Sequence, residues 1–192
     1  MTAPDLPVRP RPLPARLAAV ALAGSIVGTA WDMLHVGTHT TIYSIGSGRM
    51  PLWVPIEFAL VYAVGVLGIA RFGTVWRDGK SPGRLAGEIA WLTAVYAVTA
   101  FGHRYEAAVV VVCAVALLAR KGTLQTILPL NHIPALALVI AGPAVEAILI
   151  AAGVFRYTNA TMGNIPLWLP LLYGNAVPFA IRLTEVALEE RA

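Results

Sequence analysis

The sequence predicts an all-α integral membrane protein, a bundle of six transmembrane helices with both termini in the cytoplasm. Of its 192 residues only 12% are charged and 58% are hydrophobic, and the mean hydropathy is +0.72. A soluble domain averages about 25% charged and about 45–50% apolar residues. The apolar residues also form runs of the roughly 20 residues that a spanning helix needs. This composition excludes a soluble enzyme, a disordered protein and a nucleic-acid-binding domain.

Six segments are candidate spanning helices, and we number them in chain order. They are residues 17–36, 52–70, 85–101, 105–119, 130–154 and 165–181. The fourth is short for a span, and only residues 102–104 separate it from the third. This spacing predicts a tight hairpin whose second arm is slightly short.

The distribution of basic residues predicts the orientation, because Lys and Arg are enriched in cytoplasmic loops. With the N-terminus inside, 11 of the 14 basic residues fall in cytoplasmic segments, and 3 fall outside: Arg49, Arg104 and Arg156. The net charge of +4 is therefore explained by topology rather than by a nucleic-acid partner. Nearly all basic residues are arginine, and Ala and Gly are abundant, which indicates a multi-pass protein of a bacterial inner (plasma) membrane.

Three regions follow from this pattern. Residues 1–15, rich in Pro and Arg, are predicted to be a disordered cytoplasmic tail. Residues 16–185 form the six-helix transmembrane domain, and residues 186–192 form a second cytoplasmic tail. A cleaved signal peptide ending near residue 24 is the alternative, but the apolar stretch continues past that point for a full span.

Ionisable side chains inside spanning segments are costly, face the bundle interior and mark candidate functional sites. Asp32, Glu57 and Glu146 lie on helices 1, 2 and 5, and all three share the outer half of the predicted membrane. Glu88 lies one turn from Arg84 at the cytoplasmic edge, which predicts a helix-end ion pair. A proline inside helix 5 predicts a kink there. That kink would leave a wedge-shaped opening beside helices 1, 2 and 6.

Two nearly identical motifs lie 115 residues apart, Pro-Leu-Trp-Val-Pro at 51–55 and Pro-Leu-Trp-Leu-Pro at 166–170. Each opens an even-numbered helix on the outer side, where proline is tolerated and Trp suits the membrane interface. Trp53 and Trp168 are therefore interfacial anchors or, alternatively, line matching walls of one cavity. Asn175, near the centre of helix 6, is a candidate hydrogen-bond donor to a buried partner.

A metal site is an alternative for the polar residues of the outer side. Asp32, His35 and His39 have spacing that could place them on one helix face, and His103 and Glu106 lie on the same side. Zinc accepts such ligands, but Gly37 and Thr38 are expected to end the helix first. We therefore favour hydrogen-bonded interfacial groups and predict no metal, cofactor or catalytic residue. The single cysteine, Cys113, is expected to be an inert packing residue.

Several short motifs resemble those of the insulin-induced gene (Insig) protein family. The resemblance predicts that the chain is a bacterial homologue of that family. The motifs are the stretch Gly-Val-Phe-Arg-Tyr-Thr at 153–158, Trp-Leu-Pro at 168–170, Trp-Val-Pro at 53–55, and a His after helix 3, His103. The resemblance implies six spans and a lipid-binding bundle without catalysis. It further implies a sterol-like ligand, or another neutral lipid with a small polar head such as a diacylglycerol.

These observations predict a membrane sensor or scaffold that holds a neutral lipid in a cavity among helices 1, 2, 5 and 6. The polar contacts would come from Asp32, Trp53, Glu57, Glu146, Trp168 and Asn175. The expected partner is a membrane lipid, with a homotrimer or homodimer possible, no nucleic acid, and the protein partner left open. The alternatives are a proton-coupled transporter that uses the three carboxyl groups, and an intramembrane metal-dependent hydrolase.

Overall fold

The computed structural model describes residues 13–45, 49–72, 81–120 and 133–188, and within them the chain forms six helices and two short strands. The helices are α1 (Leu13–Gly37), α2 (Val54–Phe72), α3 (Ser81–Gly102), α4 (Glu106–Ala119), α5 (Ile133–Ala151) and α6 (Leu169–Leu188). The strands are β1 (Thr41–Tyr43), between α1 and α2, and β2 (Phe155–Tyr157), between α5 and α6. The predicted helical class is confirmed.

Several of these helices have the character of membrane spans. By length and hydropathy, α1, α2 and α3 can cross a bilayer, whereas α4 and residues 137–151 of α5 are apolar but shorter. The protein is therefore a multi-pass membrane protein. Helix α4 has 14 residues, which agrees with the prediction of a slightly short second arm in this hairpin.

The last helix, α6, is the centre of the bundle and packs against each of the other five helices. It carries polar residues that are almost fully buried, among them Asn175, Arg182 and Glu185. Arg182 donates a hydrogen bond of 2.6 Å to Glu185 one turn further along. Because its neighbours shield it from lipid, α6 can carry groups that a lipid-facing helix could not.

The two strands pair antiparallel and join the α1–α2 connection to the α5–α6 connection. Ile42 lies opposite Arg156, and Tyr43 lies opposite Phe155. The tyrosines of this β1–β2 ribbon are buried while Arg156 points outward. The sequence analysis did not predict the ribbon. We call this end of the bundle the ribbon end.

The chain contains two similar halves, α1–β1–α2 and α5–β2–α6. A Cβ atom on Gly28 of α1 would lie 2.3 Å from the Phe58 ring of α2, and one on Gly142 of α5 would lie 2.2 Å from the Tyr173 ring of α6. These two contacts are 114 to 115 residues apart in sequence, as are the two Trp motifs. The equivalent residues Ile42 and Arg156 pair with each other. An antiparallel pair at that point is the arrangement that a two-fold axis would generate.

Helix boundaries differ from the predicted ones at several ends. The first helix begins at Leu13 rather than at residue 17. The last begins at Leu169 instead of 165, because residues 162 and 165 form a β-bridge and the proline at 166 has no N–H to donate. It also continues to Leu188, seven residues beyond the predicted end. Residues 1–12 and 189–192 of the predicted tails lie outside the described residues.

Candidate functional site

Three carboxyl groups from three helices converge beneath the ribbon. Asp32 is on α1, Glu57 on the first turn of α2 and Glu146 on α5. Asp32 interacts electrostatically with Glu57, and Glu146 interacts with both. All three side chains are only partly exposed. The structure thus brings together three of the six residues that the sequence analysis selected.

Phenol hydroxyl groups hold two of these carboxyl groups. Tyr43 of β1 donates to Asp32 Oδ2 at 2.9 Å, and Tyr173 of α6 donates to Glu146 Oε1 at 2.7 Å. Tyr157 of β2 donates to the other oxygen of Glu146. We call the three carboxyl groups and these three tyrosines the carboxyl–phenol cluster. Within the described residues, the hydrogen-bond partners of both carboxyl groups are phenols rather than cations.

The ribbon tyrosines remain protonated donors. Burial raises the pKa of Tyr43, and the nearby carboxyl of Asp32 raises it further. Burial likewise raises the pKa of Tyr157, with Glu146 adding to the shift. A neutral phenol beside a carboxyl group can only donate its one proton, so both hydroxyls are committed to the cluster.

Trp168 lies beside the cluster and is 1% exposed. Its ring is 5.6 Å from that of His35 and 5.7 Å from that of Tyr157, between centroids. The buried indole N–H has no hydrogen-bond partner within the described residues. A buried donor without an acceptor is costly, so this N–H is a candidate contact for a ligand.

The two Trp motifs have the same backbone structure but different surroundings. Each Trp immediately precedes its helix, and each proline occupies the second helical position. Trp53, however, is only half-buried and meets Tyr43 edge-on at 5.9 Å, whereas Trp168 is in the core. Trp53 therefore lies at the margin of the cluster.

Asn175 is placed apart from the cluster. It is fully buried, and its side-chain N–H groups donate to the carbonyl oxygens of Cys113 at 3.1 Å and Leu171 at 2.9 Å. The Trp91 indole donates to its Oδ1 at 3.2 Å. The bonds with Cys113 and Trp91 connect α6 to α4 and α3. An apolar cavity of about 140 Å³ lies between those two helices and is lined in part by Trp91 and Cys113.

The candidate metal ligands His35, His103 and Glu106 make hydrogen bonds to other groups of the protein. His35 Nε2 lies 2.8 Å from Thr99 Oγ1, and His103 Nδ1 lies 3.0 Å from Thr40 Oγ1. Glu106 accepts from the backbone N–H of Leu167 at 2.7 Å. In the part of the chain that the structure describes, no three His, Cys, Asp or Glu side chains are grouped as a metal site would require.

Comparisons with known proteins identify relatives along nearly the whole chain. A protein of Mycolicibacterium vanbaalenii named INSIG protein homolog is 28% identical over 182 residues, 88% of this chain and 85% of the relative. Crystal structures of a mycobacterial Insig homologue from Mycobacterium vanbaalenii, one of them a cross-linked trimer, superpose with TM-scores of 0.76 and 0.78 at 24% identity. They cover 96% of this chain and 99% to 100% of theirs. The chain is therefore similar to an Insig homologue along most of its length and has the same fold.

The resemblance predicted from short motifs is thereby confirmed, although no family model matches the chain. The stretch at 153–158, which carries part of this resemblance, has a clear structural role. Gly153 has a φ of +74°, which favours glycine, and turns the chain from α5 into β2. Tyr157 then reaches Glu146, and the Thr158 hydroxyl donates to the His39 carbonyl. The stretch therefore places one phenol of the carboxyl–phenol cluster.

Sequence reasoning missed the aromatic side of the site. The tyrosines at 43, 157 and 173 hold the carboxyl groups. A signal was available for two of them, because Tyr43 and Tyr157 each lie 11 residues after a carboxyl residue that was selected. For Tyr173 the partner, Glu146, is on the neighbouring helix α5, 27 residues away in sequence, and no local pattern indicates it.

Proposed function

We propose that this Insig homologue is a non-enzymatic sensor or scaffold that binds one neutral lipid, a diacylglycerol or a sterol-like molecule. The lipid would lie in a cavity among α1, α2, α5 and α6, with its polar head at the carboxyl–phenol cluster. Asp32, Glu57 and Glu146 would accept hydrogen bonds from a hydroxyl head. Apolar and aromatic walls would hold the hydrocarbon, the usual division of roles in a small-molecule site.

The observation that carries this proposal is the unpartnered N–H of Trp168. A polar group removed from water without a partner costs about 1–3 kcal/mol. An oxygen of a lipid head would accept from this N–H. The neighbouring carboxyl groups offer the complementary acceptors, so one small head with both a hydroxyl and a second oxygen could satisfy both sides.

The test compares lipids that remain bound to the purified full-length protein, extracted and quantified by mass spectrometry. Trp168→Phe keeps most of the ring but removes the N–H, so bound neutral lipid should fall about fivefold. Trp91→Phe is the matched control, because its lost N–H bonds Asn175 away from the cluster. Equal lipid content in parent and Trp168→Phe would contradict the proposal.

Trp53 and Asn175 belong to the proposed contacts with smaller expected effects. Trp53→Ala should reduce bound lipid less than Trp168→Ala, since Trp53 is half-buried at the margin. Asn175 supports the site through its bonds to α3 and α4. Its replacement should therefore lower thermal stability more than lipid content.

Proton-coupled transport is the second candidate, favoured by the mutual electrostatic contact of the three carboxyl groups. Such a relay would need titratable groups along the whole path, but these three lie together at the ribbon end. Asp32→Asn separates the two functions. It should preserve lipid binding through its amide oxygen, whereas a relay through Asp32 would stop.

We further propose that the protein forms a homo-oligomer in a bacterial inner membrane, with six spans and cytoplasmic termini. One related crystal structure is a cross-linked trimer, and a trimer is therefore the state to test first. Native mass spectrometry in detergent would distinguish trimer, dimer and monomer. A single monomeric species across protein concentrations would contradict this proposal.

A further inference from the structure

The apolar cavity between α3 and α4 lies on the outer side of the bundle, away from the carboxyl–phenol cluster. It has a volume of about 140 Å³, and its walls include Trp91, Ala94 and Val95 of α3 and Val112 and Ala116 of α4. Ala94 and Val112 are exposed, so the cavity opens on the surface of the bundle. Because the core of a bilayer is hydrocarbon, the molecules that meet this opening are the acyl chains of lipids.

An ion pair closes the end of this cavity that is remote from the ribbon. Glu88 of α3 and Arg120, the residue that follows α4, form a salt bridge. Glu88 lies three residues before Trp91, and Arg120 lies four residues after Ala116, so each continues the helix face that lines the cavity. The guanidinium carbon of Arg120 is 5.3 Å from the centroid of the Trp91 ring. The cavity and the ion pair therefore form one continuous feature, which we call the α3–α4 groove.

The ion pair keeps hydrogen-bonding capacity that its salt bridge does not use. The bridge joins Glu88 Oε1 to Arg120 Nη2, whereas Glu88 Oε2 and Arg120 Nη1 are buried and have no partner in the described part of the chain. Charged groups without their hydrogen bonds are costly. The side chain of Glu88 is still 13% exposed and that of Arg120 19%, so a small rotation brings both atoms to the open side of the groove. One acceptor and one donor on the same ligand would satisfy them.

The ion pair is neutral overall, so the head group that complements it carries both charges. We propose that the α3–α4 groove binds one molecule of phosphatidylethanolamine. A phosphate oxygen accepts from Arg120, and the primary ammonium donates to Glu88. One acyl chain enters the cavity, whose volume holds about five groups of the size of a water molecule. This site is separate from the neutral-lipid site of the proposed function and does not depend on it.

Three lipids with identical chains test the head group on the unaltered full-length protein. Dioleoylphosphatidylethanolamine, dioleoylphosphatidylcholine and dioleoylphosphatidylglycerol are titrated in detergent, and bound lipid is counted by native mass spectrometry. The choline head keeps the phosphate but has no N–H, and the glycerol head is anionic and has no ammonium. Because each lacks one charge-assisted hydrogen bond, the ethanolamine lipid should bind about tenfold more tightly than either. Equal affinity for the three lipids, or a preference for the glycerol lipid, would overturn the proposal.

Two substitutions test the two parts of the groove. Glu88→Gln removes the charge that holds the ammonium, so the preference for the ethanolamine over the choline lipid should fall to less than about twofold. Ala116→Leu fills the cavity and should weaken the binding of both lipids. Ala107→Leu is the matched control, since it makes the same change at an exposed position of α4 outside the cavity, and it should bind both lipids like the parent. An undiminished preference in Glu88→Gln, or equal binding by the two leucine variants, would contradict the proposal.

Discussion

At the scale of single residues, the cost of an ionisable group in a membrane is enough to select three carboxyl groups that the fold brings together. Asp32, Glu57 and Glu146 were selected on that ground alone, and they lie within electrostatic range of one another. The same reasoning could not separate Trp53 from Trp168, since their motifs are nearly identical. Only tertiary packing leaves one half-buried and the other 1% exposed.

The ribbon tyrosines make the stability of the fold depend on pH in the alkaline range. Tyr43 and Tyr157 have pKa values raised above their ordinary 10.0, by burial first and then by carboxyl groups. The folded protein therefore keeps protons that the unfolded chain releases above pH 10 or so. Their contribution is complete below that pH and declines as the pH rises through it.

We expect the melting temperature to fall between about pH 9.5 and 11. In Tyr43→Phe/Tyr157→Phe the parent's fall should become shallower, because the groups that titrate on unfolding are gone. The measurement is thermal unfolding in a pH-stable detergent, with each protein referenced to its own value at neutral pH. Identical slopes in parent and variant would show that these phenols do not couple ionisation to folding.

At the scale of helices and strands, apolar length predicted the positions of the helices well, but the contacts between helices were beyond local patterns. Glu88 illustrates this: the predicted partner was Arg84 one turn away, and the structure also pairs Glu88 with Arg120, the residue that follows α4. The guanidinium of Arg120 also lies 5.3 Å from the centroid of the Trp91 ring. The strands escaped prediction because three residues are too few to show an alternating pattern.

Glycine spacing decides how closely α1 approaches α2. At Gly28 a Cβ atom would lie 2.3 Å from the Phe58 ring, and small residues at such positions let membrane helices pack closely. Gly28→Ala should therefore destabilise the protein by about 1–3 kcal/mol, as overpacking does. Thermal unfolding in detergent measures the effect.

Gly65 of α2 provides the matched control, because nothing lies within 4 Å of a Cβ built there. Gly65→Ala should be neutral or stabilising by up to about 1 kcal/mol, since alanine favours the helix. Equal melting temperatures for Gly28→Ala and the parent would show that α1 and α2 can separate without cost. The close crossing would then not contribute to the fold.

At the scale of the whole molecule, two similar halves explain why the site lies where it does. Asp32 with Tyr43 in one half corresponds to Glu146 with Tyr157 in the other, each pair 11 residues apart. The ribbon joins the halves at Ile42 and Arg156. The paired Trp motifs gave the sequence-level signal for this repeat. The pairing of the strands, which brings both carboxyl groups beneath one ribbon, could be seen only in the folded structure.

This arrangement and the proposed topology make one joint prediction about the ribbon. Ile42 and Arg156 are directly opposed across antiparallel strands, where Cα atoms lie about 4.5–5.5 Å apart, a separation that a disulfide can bridge. If the ribbon end faces the oxidising bacterial periplasm, Ile42→Cys/Arg156→Cys should form a disulfide in cells without added oxidant. Cys113→Ala serves as the background and removes the native thiol.

Maleimide labelling with a membrane-impermeant reagent measures both parts. In intact cells the double variant should be labelled only after mild reduction. Each single cysteine, Ile42→Cys or Arg156→Cys, should be labelled directly, more strongly at the exposed Arg156 position. Gly83→Cys, exposed at the opposite end of α3, should be labelled only after the membrane is opened. Labelling of Gly83→Cys in intact cells, with protection of Arg156→Cys, would show that the orientation in the membrane is the reverse of the proposed one. Direct labelling of both thiols in the double variant would instead show that the strands do not pair, because an unpaired ribbon leaves the thiols too far apart to bond.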